Sequence, residues 1–121
     1  MGALWNYIKQ EKGWIGFDLD GTLAIKDFEN GNFPDDKVPP IGEPIESMIN
    51  IVKEYINKGE NVKIFSARVS HGSGEIDKIK SWCLKHIGIE LDATNVKDPM
   101  CKKIYDDIAV QVIKNKGIVI E

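Results

Sequence analysis

The chain has 121 residues, of which 42% are hydrophobic and 29% charged, and its net charge is −3 at pH 7. This length fits one small core, and the composition is that of an ordinary globular domain rather than a disordered chain. No apolar run approaches the roughly 18 residues of a membrane span, and the N-terminus lacks the basic and apolar regions of a secretory signal. We therefore expect a cytoplasmic protein with no membrane partner. The acidic balance also argues against a large nucleic-acid footprint.

The predicted elements of the first half alternate between strands and helices. Residues 1–12 carry apolar side chains that fit either a strand or a helix. An apolar run with Ile15, Phe17 and Leu19 predicts a buried strand. Residues 24–43 are expected to form an irregular flap, because glycines and prolines interrupt them. The helical spacing of apolar residues then predicts a helix from Pro44 that ends before Gly59.

The second half continues this alternation. Residues 62–65 are predicted to form a short buried strand. A helix is expected from a capping Ser73 to Gly88, and residues 108–113 fit either a strand or a helix. Further strands are predicted at residues 89–93, 104–105 and 118–120. Strands separated by helices indicate an α/β fold with a mostly parallel sheet and right-handed crossovers, in a single domain over residues 1–121.

The first predicted strand ends in charged residues. Asp18 and Asp20 close the apolar run, and Gly21 and Thr22 follow them. This pattern places charge at the carboxyl edge of a sheet, where open α/β folds bind their ligands. If the chain bends at Gly21, the Asp18 carboxylate and the backbone around Asp20 converge on one cation. Hard oxygen ligands of this kind suit Mg²⁺.

The stretch Asp-Leu-Asp-Gly-Thr after an apolar strand resembles motif I of the haloacid dehalogenase (HAD) superfamily, most of whose members are Mg²⁺-dependent phosphatases. The other motifs of that superfamily follow in order. An apolar strand ending in Ser66 resembles motif II, Lys97 is a candidate for the motif III lysine, and a strand ending in Asp106 and Asp107 resembles motif IV. The resemblance spans residues 14–112 and implies a three-layer, Rossmann-like core.

The resemblance also implies a role for each acid. Asp18 would be the nucleophile that forms an aspartyl-phosphate, which divides one difficult displacement into two steps. Asp20 would protonate the leaving oxygen and then activate water, as a positioned acid and base. Mg²⁺ would be held by the Asp18 side chain, the Asp20 backbone carbonyl and Asp106, with Asp107 binding directly or through water.

Phosphate contacts are expected from motif II and from a lysine. The Ser66 hydroxyl would bind a phosphate oxygen, although a turn or cap serine is the alternative interpretation. Arg68 would contact the phosphate through two donors, the alternative being a solvated surface arginine. Lys97, Lys102 and Lys103 all precede motif IV. Lys97 is favoured because it lies at a loop-to-helix junction, where a side chain can turn into the site.

The predicted function is Mg²⁺-dependent hydrolysis of a small phosphorylated compound, with a nucleotide among the candidates. Residues 24–43 are too few for a folded cap, so the site is expected to be open, shielded by this flap or by another subunit. Residues 66–72 and the Asp-Asp pair are similar to the 3′-phosphatase domain of bacteriophage polynucleotide kinase. A nucleic-acid 3′ end is therefore an alternative substrate, although Ile108 stands where that domain has an arginine.

Two other classes of protein stay open. Receiver domains of response regulators have a similar length and use Asp, Ser or Thr, and Lys around Mg²⁺. Their paired acids are adjacent at the first strand and their lysine comes last, whereas here Asp106 and Asp107 follow Lys97, so the order favours a hydrolase. A HAD-like binding module without turnover is the second alternative, and the intact acids argue against it.

Overall fold

A computed structural model describes residues 12–121, in which four parallel strands form one sheet with the order β3-β2-β1-β4. The element expected over residues 1–12 lies outside the described residues, apart from Lys12. The α/β class and the parallel sheet are confirmed. The strands and helices are β1 (Trp14–Phe17), α1 (Glu46–Asn57), β2 (Val62–Phe65), α2 (Ser73–His86), β3 (Ala93–Thr94) and β4 (Cys101–Tyr105).

The core lies on one face of the sheet. Ile15 pairs with Val62 and Phe17 with Ile64, and partners in a parallel ladder share a face because side chains alternate along each strand. These four side chains belong to one cluster with the buried residues of both helices. The helical members of the cluster are Ile49, Val52, Ile79, Trp82 and Cys83. Burial of this apolar surface is the main favourable term in folding.

The opposite face of the sheet carries Trp14, Lys63 and Phe65. The centroids of the Trp14 and Phe65 rings are 6.4 Å apart, and Lys63 Nζ lies 5.0 Å from the centroid of the Trp14 ring. Trp14 Nε1 donates a hydrogen bond of 2.9 Å to Asp98, in the segment that leads into β4. Both helices of residues 12–121 thus lie on the other face. This part of the chain contains a sheet and one helical layer, and the third layer stays a prediction.

The helix ends agree with the predicted signals to within one or two residues. Gly59 follows α1 at φ +83° and Gly88 follows α2 at φ +102°, a backbone region that glycine tolerates best. Ser73 is the first helical residue rather than the cap. Gly72 holds the capping position instead, and no side chain caps this end of the helix.

Residues 24–43 are irregular apart from one short 3₁₀ turn at Asp35–Lys37, as predicted. The two ends of this flap are joined to each other, and the second end is also bound to α2. The Ile25 amide donates to Glu43 O at 2.8 Å, and Trp82 Nε1 on α2 donates to Gly42 O at 3.0 Å. The flap is therefore an attached covering and not a separate cap. No helix among the described residues is both long and apolar enough to cross a bilayer.

The C-terminal strands form a separate hairpin. β5 (Gln111–Ile113) pairs antiparallel with β6 (Ile118–Ile120), outside the parallel sheet. The expected strand at 118–120 is confirmed, and the ambiguous residues 108–113 contain β5 and no helix. The strand predicted at 89–93 is shorter and lies later in the chain, because only Ala93 and Thr94 pair with β2.

Replacing Ile49 by alanine tests the assignment of the core. Ile49 is 0% exposed on α1, whereas Leu84 on α2 is 52% exposed. We expect Ile49→Ala to lower the free energy of unfolding by about 2–5 kcal/mol, because it removes buried methyl groups and leaves a cavity. Leu84→Ala, a matched helical control, is expected to change it by less than about 0.5 kcal/mol. Urea unfolding measures both. Equal effects would contradict the assignment.

Candidate active site

The carboxyl ends of three neighbouring strands meet at one edge of the sheet. β1, β2 and β4 end one residue before Asp18, Ser66 and Asp106. The Asp18 amide donates to Tyr105 O at 2.9 Å, which continues the pairing of β1 with β4 past the end of β1. A cavity of about 390 Å³ opens at this edge. Its lining includes Asp18, Asp20, Ser66, Arg68, Asp106 and Asp107.

Three of the predicted metal ligands come together in this cavity. Asp18, Asp106 and Asp107 each offer a carboxylate oxygen, and these oxygens lie within 4.8 Å of one another. The Thr22 hydroxyl lies 3.3 Å from Asp18 Oδ2 and 3.2 Å from Asp107 Oδ1, so it donates to one of them at a time. Thr22 therefore orients carboxylates that come from distant parts of the chain.

Gly21 is required for this approach. Its φ is +91°, and a Cβ at this position would lie 2.6 Å from Asp107 Oδ2. Leu19 O accepts hydrogen bonds from the amides of Leu23 and Ala24, so the chain turns sharply directly after the acids. A larger residue at Gly21 would push Asp107 away from Asp18. The glycine of the motif thus serves both the turn and the acid cluster.

Crowding of the carboxylates perturbs their protonation. Burial, together with the neighbouring carboxyl groups of Asp107 and Asp106, raises the pKa of Asp18 to about 7. The hydrogen bond to Asp18 lowers the pKa of Asp107. Without a cation, Asp18 is therefore protonated mainly below about pH 7, with Asp107 as the acceptor of its hydrogen bond. A divalent cation would favour the ionised form of both groups.

Arg68 occupies a different place from the one expected. It is 5% exposed, so it is not a surface arginine. Its Nε and Nη2 donate to the two carboxylate oxygens of Asp20 at 2.8 and 2.9 Å. This is the fork-to-fork geometry of a strong arginine–carboxylate pair. In this structure the two donors predicted to bind phosphate bind Asp20 instead.

The third guanidinium nitrogen of Arg68, Nη1, contacts both the flap and α2. Nη1 donates to the Pro39 carbonyl and lies 3.5 Å from Glu75 Oε1. Glu75 is 4% exposed and also pairs with Lys78 at 2.8 Å. A buried guanidinium with several partners of this kind fixes the positions of all of them.

Ser66 combines the two interpretations of the sequence. Its Oγ accepts a hydrogen bond of 3.1 Å from the Arg68 amide at the start of a 3₁₀ helix (Ala67–His71), which is the role of a cap. The residue also lines the cavity and is 3% exposed. The hydroxyl proton of Ser66 is not used by the cap, so it can still be donated to an oxygen in the cavity.

The structure does not bring Lys97 to the acid cluster. Lys97 is exposed and absent from the cavity lining, and the adjacent Asp98 binds Trp14 at the start of β1, whereas the acids follow the end of that strand. Lys102 pairs with Glu60, as expected for a lysine outside the site. This placement follows from the segment between β3 and β4, in which Asp98 already lies beside the start of β1.

Lys26 is the lysine that lines the cavity, and the sequence reasoning missed it. Its positive charge contributes to the lowered pKa of Asp107. The position is fixed because Ala24 bridges Pro44 and the Ile25 amide bonds to Glu43. Lys26 is the first basic residue after the Gly-Thr turn, which is the one sequence signal that would have indicated it.

The donor set suits a hard divalent cation. The converging groups are carboxylate oxygens, and Cys83 and Cys101 are free thiols outside the cavity. His71 also lines the cavity, but its Nδ1 is paired with Asp35 and it does not belong to the converging group. Oxygen ligands with room for water are the preference of Mg²⁺, whereas zinc sites use sulfur and imidazole nitrogen. Asp18, Asp106 and Asp107 therefore fit the cation expected from the sequence.

Comparisons with known proteins add no family to this description. No protein-family model, no curated protein and no solved structure matches the chain.

The raised pKa of Asp18 predicts a pH-dependent stability of the metal-free protein. Between its ordinary value of 3.8 and about 7, the folded state keeps a proton that the unfolded chain has lost. The free energy of unfolding is therefore expected to fall as pH rises through this window. The contribution of Asp107 has the opposite sign and lies below it, because its pKa is lowered.

Urea unfolding in a chelator, at several pH values across this window, measures the effect. In Asp18→Asn the slope is expected to be smaller, since the titrating group is removed. The same slope in both proteins would show that Asp18 does not hold the proton.

Proposed function

We propose that this chain is a Mg²⁺-dependent phosphomonoester hydrolase of HAD type, with a HAD-like core and Asp18 as the nucleophile. The observation that carries the proposal is the convergence of Asp18, Asp106 and Asp107 at the carboxyl edge of a parallel sheet. The ordered motifs of the sequence support it, because each of the strands β1, β2 and β4 leads directly into a polar residue of the cavity.

The first chemical step forms an acyl phosphate, a mixed anhydride between the Asp18 carboxyl group and the phosphoryl group. A carboxylate oxygen of Asp18 attacks phosphorus, and the bond from phosphorus to the leaving oxygen breaks. Asp20 donates a proton to that oxygen, so the leaving group departs as an alcohol. In the second step Asp20 takes a proton from water, the water oxygen attacks phosphorus, and the Asp18 carboxylate is released with inorganic phosphate.

The ion pair with Arg68 orients the Asp20 carboxylate for these two steps. Both of its oxygens accept from the guanidinium, and each keeps a second lone pair that can take up a proton and give it back. Arg68 fixes the direction of the carboxyl group through Nε and Nη2, which makes Arg68 a positioning residue for the proton transfer.

Charge compensation requires cations in the cavity. A phosphomonoester brings negative charge to a site that already holds four carboxylates, Asp18, Asp20, Asp106 and Asp107. Arg68 is bound to Asp20, which leaves Lys26 as the lysine side chain lining the cavity. When bound, Mg²⁺ supplies positive charge at Asp18, Asp106 and Asp107. Lys26 supplies it at the transferring oxygens, the role expected of Lys97 from the sequence.

Release of phosphate from p-nitrophenyl phosphate tests the proposed function. We expect activity with Mg²⁺ and none after chelation. Asp18→Asn is expected to abolish it, because an amide is a poor nucleophile. Asp20→Asn is expected to lower kcat by roughly 10²–10⁴-fold, the usual contribution of a positioned acid and base.

Asp36→Asn is the matched control, because Asp36 is an exposed aspartate outside the cavity lining and is expected to keep full activity. Activity that persists in Asp18→Asn, or that survives chelation, would refute the mechanism. Calorimetry with Mg²⁺ separates the roles of the acids. Asp20→Asn is expected to keep metal binding, and loss of binding would make its side chain a ligand.

The assignment of the lysine has its own test. Lys26→Met keeps most of the length of the side chain and removes its charge, and we expect it to lower kcat by about 10²-fold, as for the loss of one donor to a developing negative charge. Lys97→Met is expected to leave kcat unchanged. Steady-state kinetics of the two variants on one substrate decide between them, and the reverse result would restore Lys97.

A further inference from the structure

The flap brings two aromatic rings into the cavity that holds Asp18. Phe28 and Phe33 line this cavity, and both are neither fully buried nor fully exposed. Their rings pack edge to face, with centroids 5.9 Å apart and planes at 79°. Aromatic rings that are only half covered are costly to leave in water, so a pair of them beside an acid cluster indicates a surface for a ligand.

Two cations hold Phe28 in place. Lys26 Nζ lies 5.3 Å and Arg68 Cζ lies 5.6 Å from the ring centroid, distances at which the ring attracts positive charge. Both cations belong to the cavity described above, and Arg68 is fixed by its pair with Asp20. The orientation of Phe28 is therefore coupled to the groups proposed to act on the phosphate.

The part of the flap that follows the two rings in sequence is also bound to the rest of the domain. His71 Nδ1 and Asp35 Oδ1 are 2.8 Å apart, and the Pro39 carbonyl accepts from Arg68. These contacts reach the flap from the segment that follows β2. The rings are consequently held over the cavity before a ligand arrives, which reduces the ordering cost of binding.

Two amide side chains lie beside the aromatic rings in the cavity lining. Asn30 and Asn32, which lie between the two phenylalanines in sequence, also line the cavity, and Lys26 Nζ donates to Asn30 Oδ1. An amide offers both donors and acceptors, so it can pair with the polar edge of a heterocycle. A surface of aromatic rings with amides beside it suits a flat ring that has nitrogen and oxygen atoms on its edge. A sugar alone would leave the rings uncovered.

We propose that the leaving group of the substrate is a nucleoside, and that its base lies against Phe28 and Phe33 while the phosphate is at Asp18. This inference rests on the proposed phosphatase function and names the substrate class for it. The cavity volume of about 390 Å³ is within the range of small-molecule sites. The nucleoside monophosphate is either a free nucleotide or the end of a nucleic-acid strand, since both present the same group.

The test compares substrates that differ only in the base. Values of kcat/KM are measured for adenosine 5′-monophosphate against ribose 5-phosphate, and for adenosine 3′-monophosphate against ribose 3-phosphate. We expect the nucleotide of at least one pair to be preferred. In Phe28→Ala that preference falls about tenfold, in line with the usual contribution of one base–aromatic stack. Phe28→Leu keeps apolar volume and protects the fold, and it is expected to reduce the preference as well.

Ile25→Ala is the matched control on the flap. Ile25 is 52% exposed and absent from the cavity lining, so the preference is expected to be kept. Oligonucleotides with a terminal phosphate distinguish the two sources of the nucleotide. A higher kcat/KM than for the free nucleotide would identify strand ends, and a lower one the free compound.

Equal kcat/KM for nucleotide and sugar phosphate, with activity still dependent on Asp18 and Mg²⁺, would overturn this inference and leave the proposed function intact. A preference for phosphotyrosine, which has a flat ring without a heterocyclic edge, would overturn it too. Equilibrium dialysis measures the binding of adenosine monophosphates to the Asp18→Asn variant, and this measurement does not depend on turnover. Nucleotide binding that is weakened by Phe28→Ala would support the subsite even if no phosphate were released. Absence of nucleotide binding, together with absence of phosphate release from every substrate including p-nitrophenyl phosphate, would refute both proposals.

Discussion

The buried guanidinium of Arg68 links the separate parts of this site. It binds Asp20 after β1 through two donors, and the flap through the Pro39 carbonyl. Glu75 of α2 lies beside it. Removing one partner of a buried ion pair typically costs about 3–5 kcal/mol, because the other charge is left without compensation. The turn after β1, the flap and the start of α2 are therefore held in one arrangement. The positions of Phe28 and Phe33 over the cavity depend on that arrangement.

Much of the fold and of the acid cluster could be predicted because the relevant signals are local. Four-residue apolar runs predict strands, and acids that follow them must lie at the carboxyl edge if the strands are parallel. Asp18, Asp106 and Asp107 come together for that reason. Gly59 and Gly88 mark the helix ends through backbone conformation alone, which a single residue specifies.

The basic residues could not be placed in the same way, because their partners are distant in sequence. Whether Lys97 turns towards the cavity depends on the path into β4, which is set by the bond between Trp14 and Asp98. Lys26 reaches the acids because Ala24 bridges Pro44, a pairing without a local pattern. A long flexible side chain has no periodicity that reveals its direction, so only the tertiary structure decides which lysine lies beside the acid cluster.

The C-terminal hairpin is held to the rest of the domain less firmly than the strands of the parallel sheet are held to one another. β5 and β6 pair with each other and not with the parallel sheet, and Val112 and Val119 are more than half exposed. A two-stranded hairpin has little stability of its own in water. Its amide protons can therefore exchange with solvent through local opening, whereas those of β1 and β2 require opening of the core. We therefore expect the amides beside the acid cluster, which follows β1, to exchange with those of the core strands and more slowly than those of the hairpin.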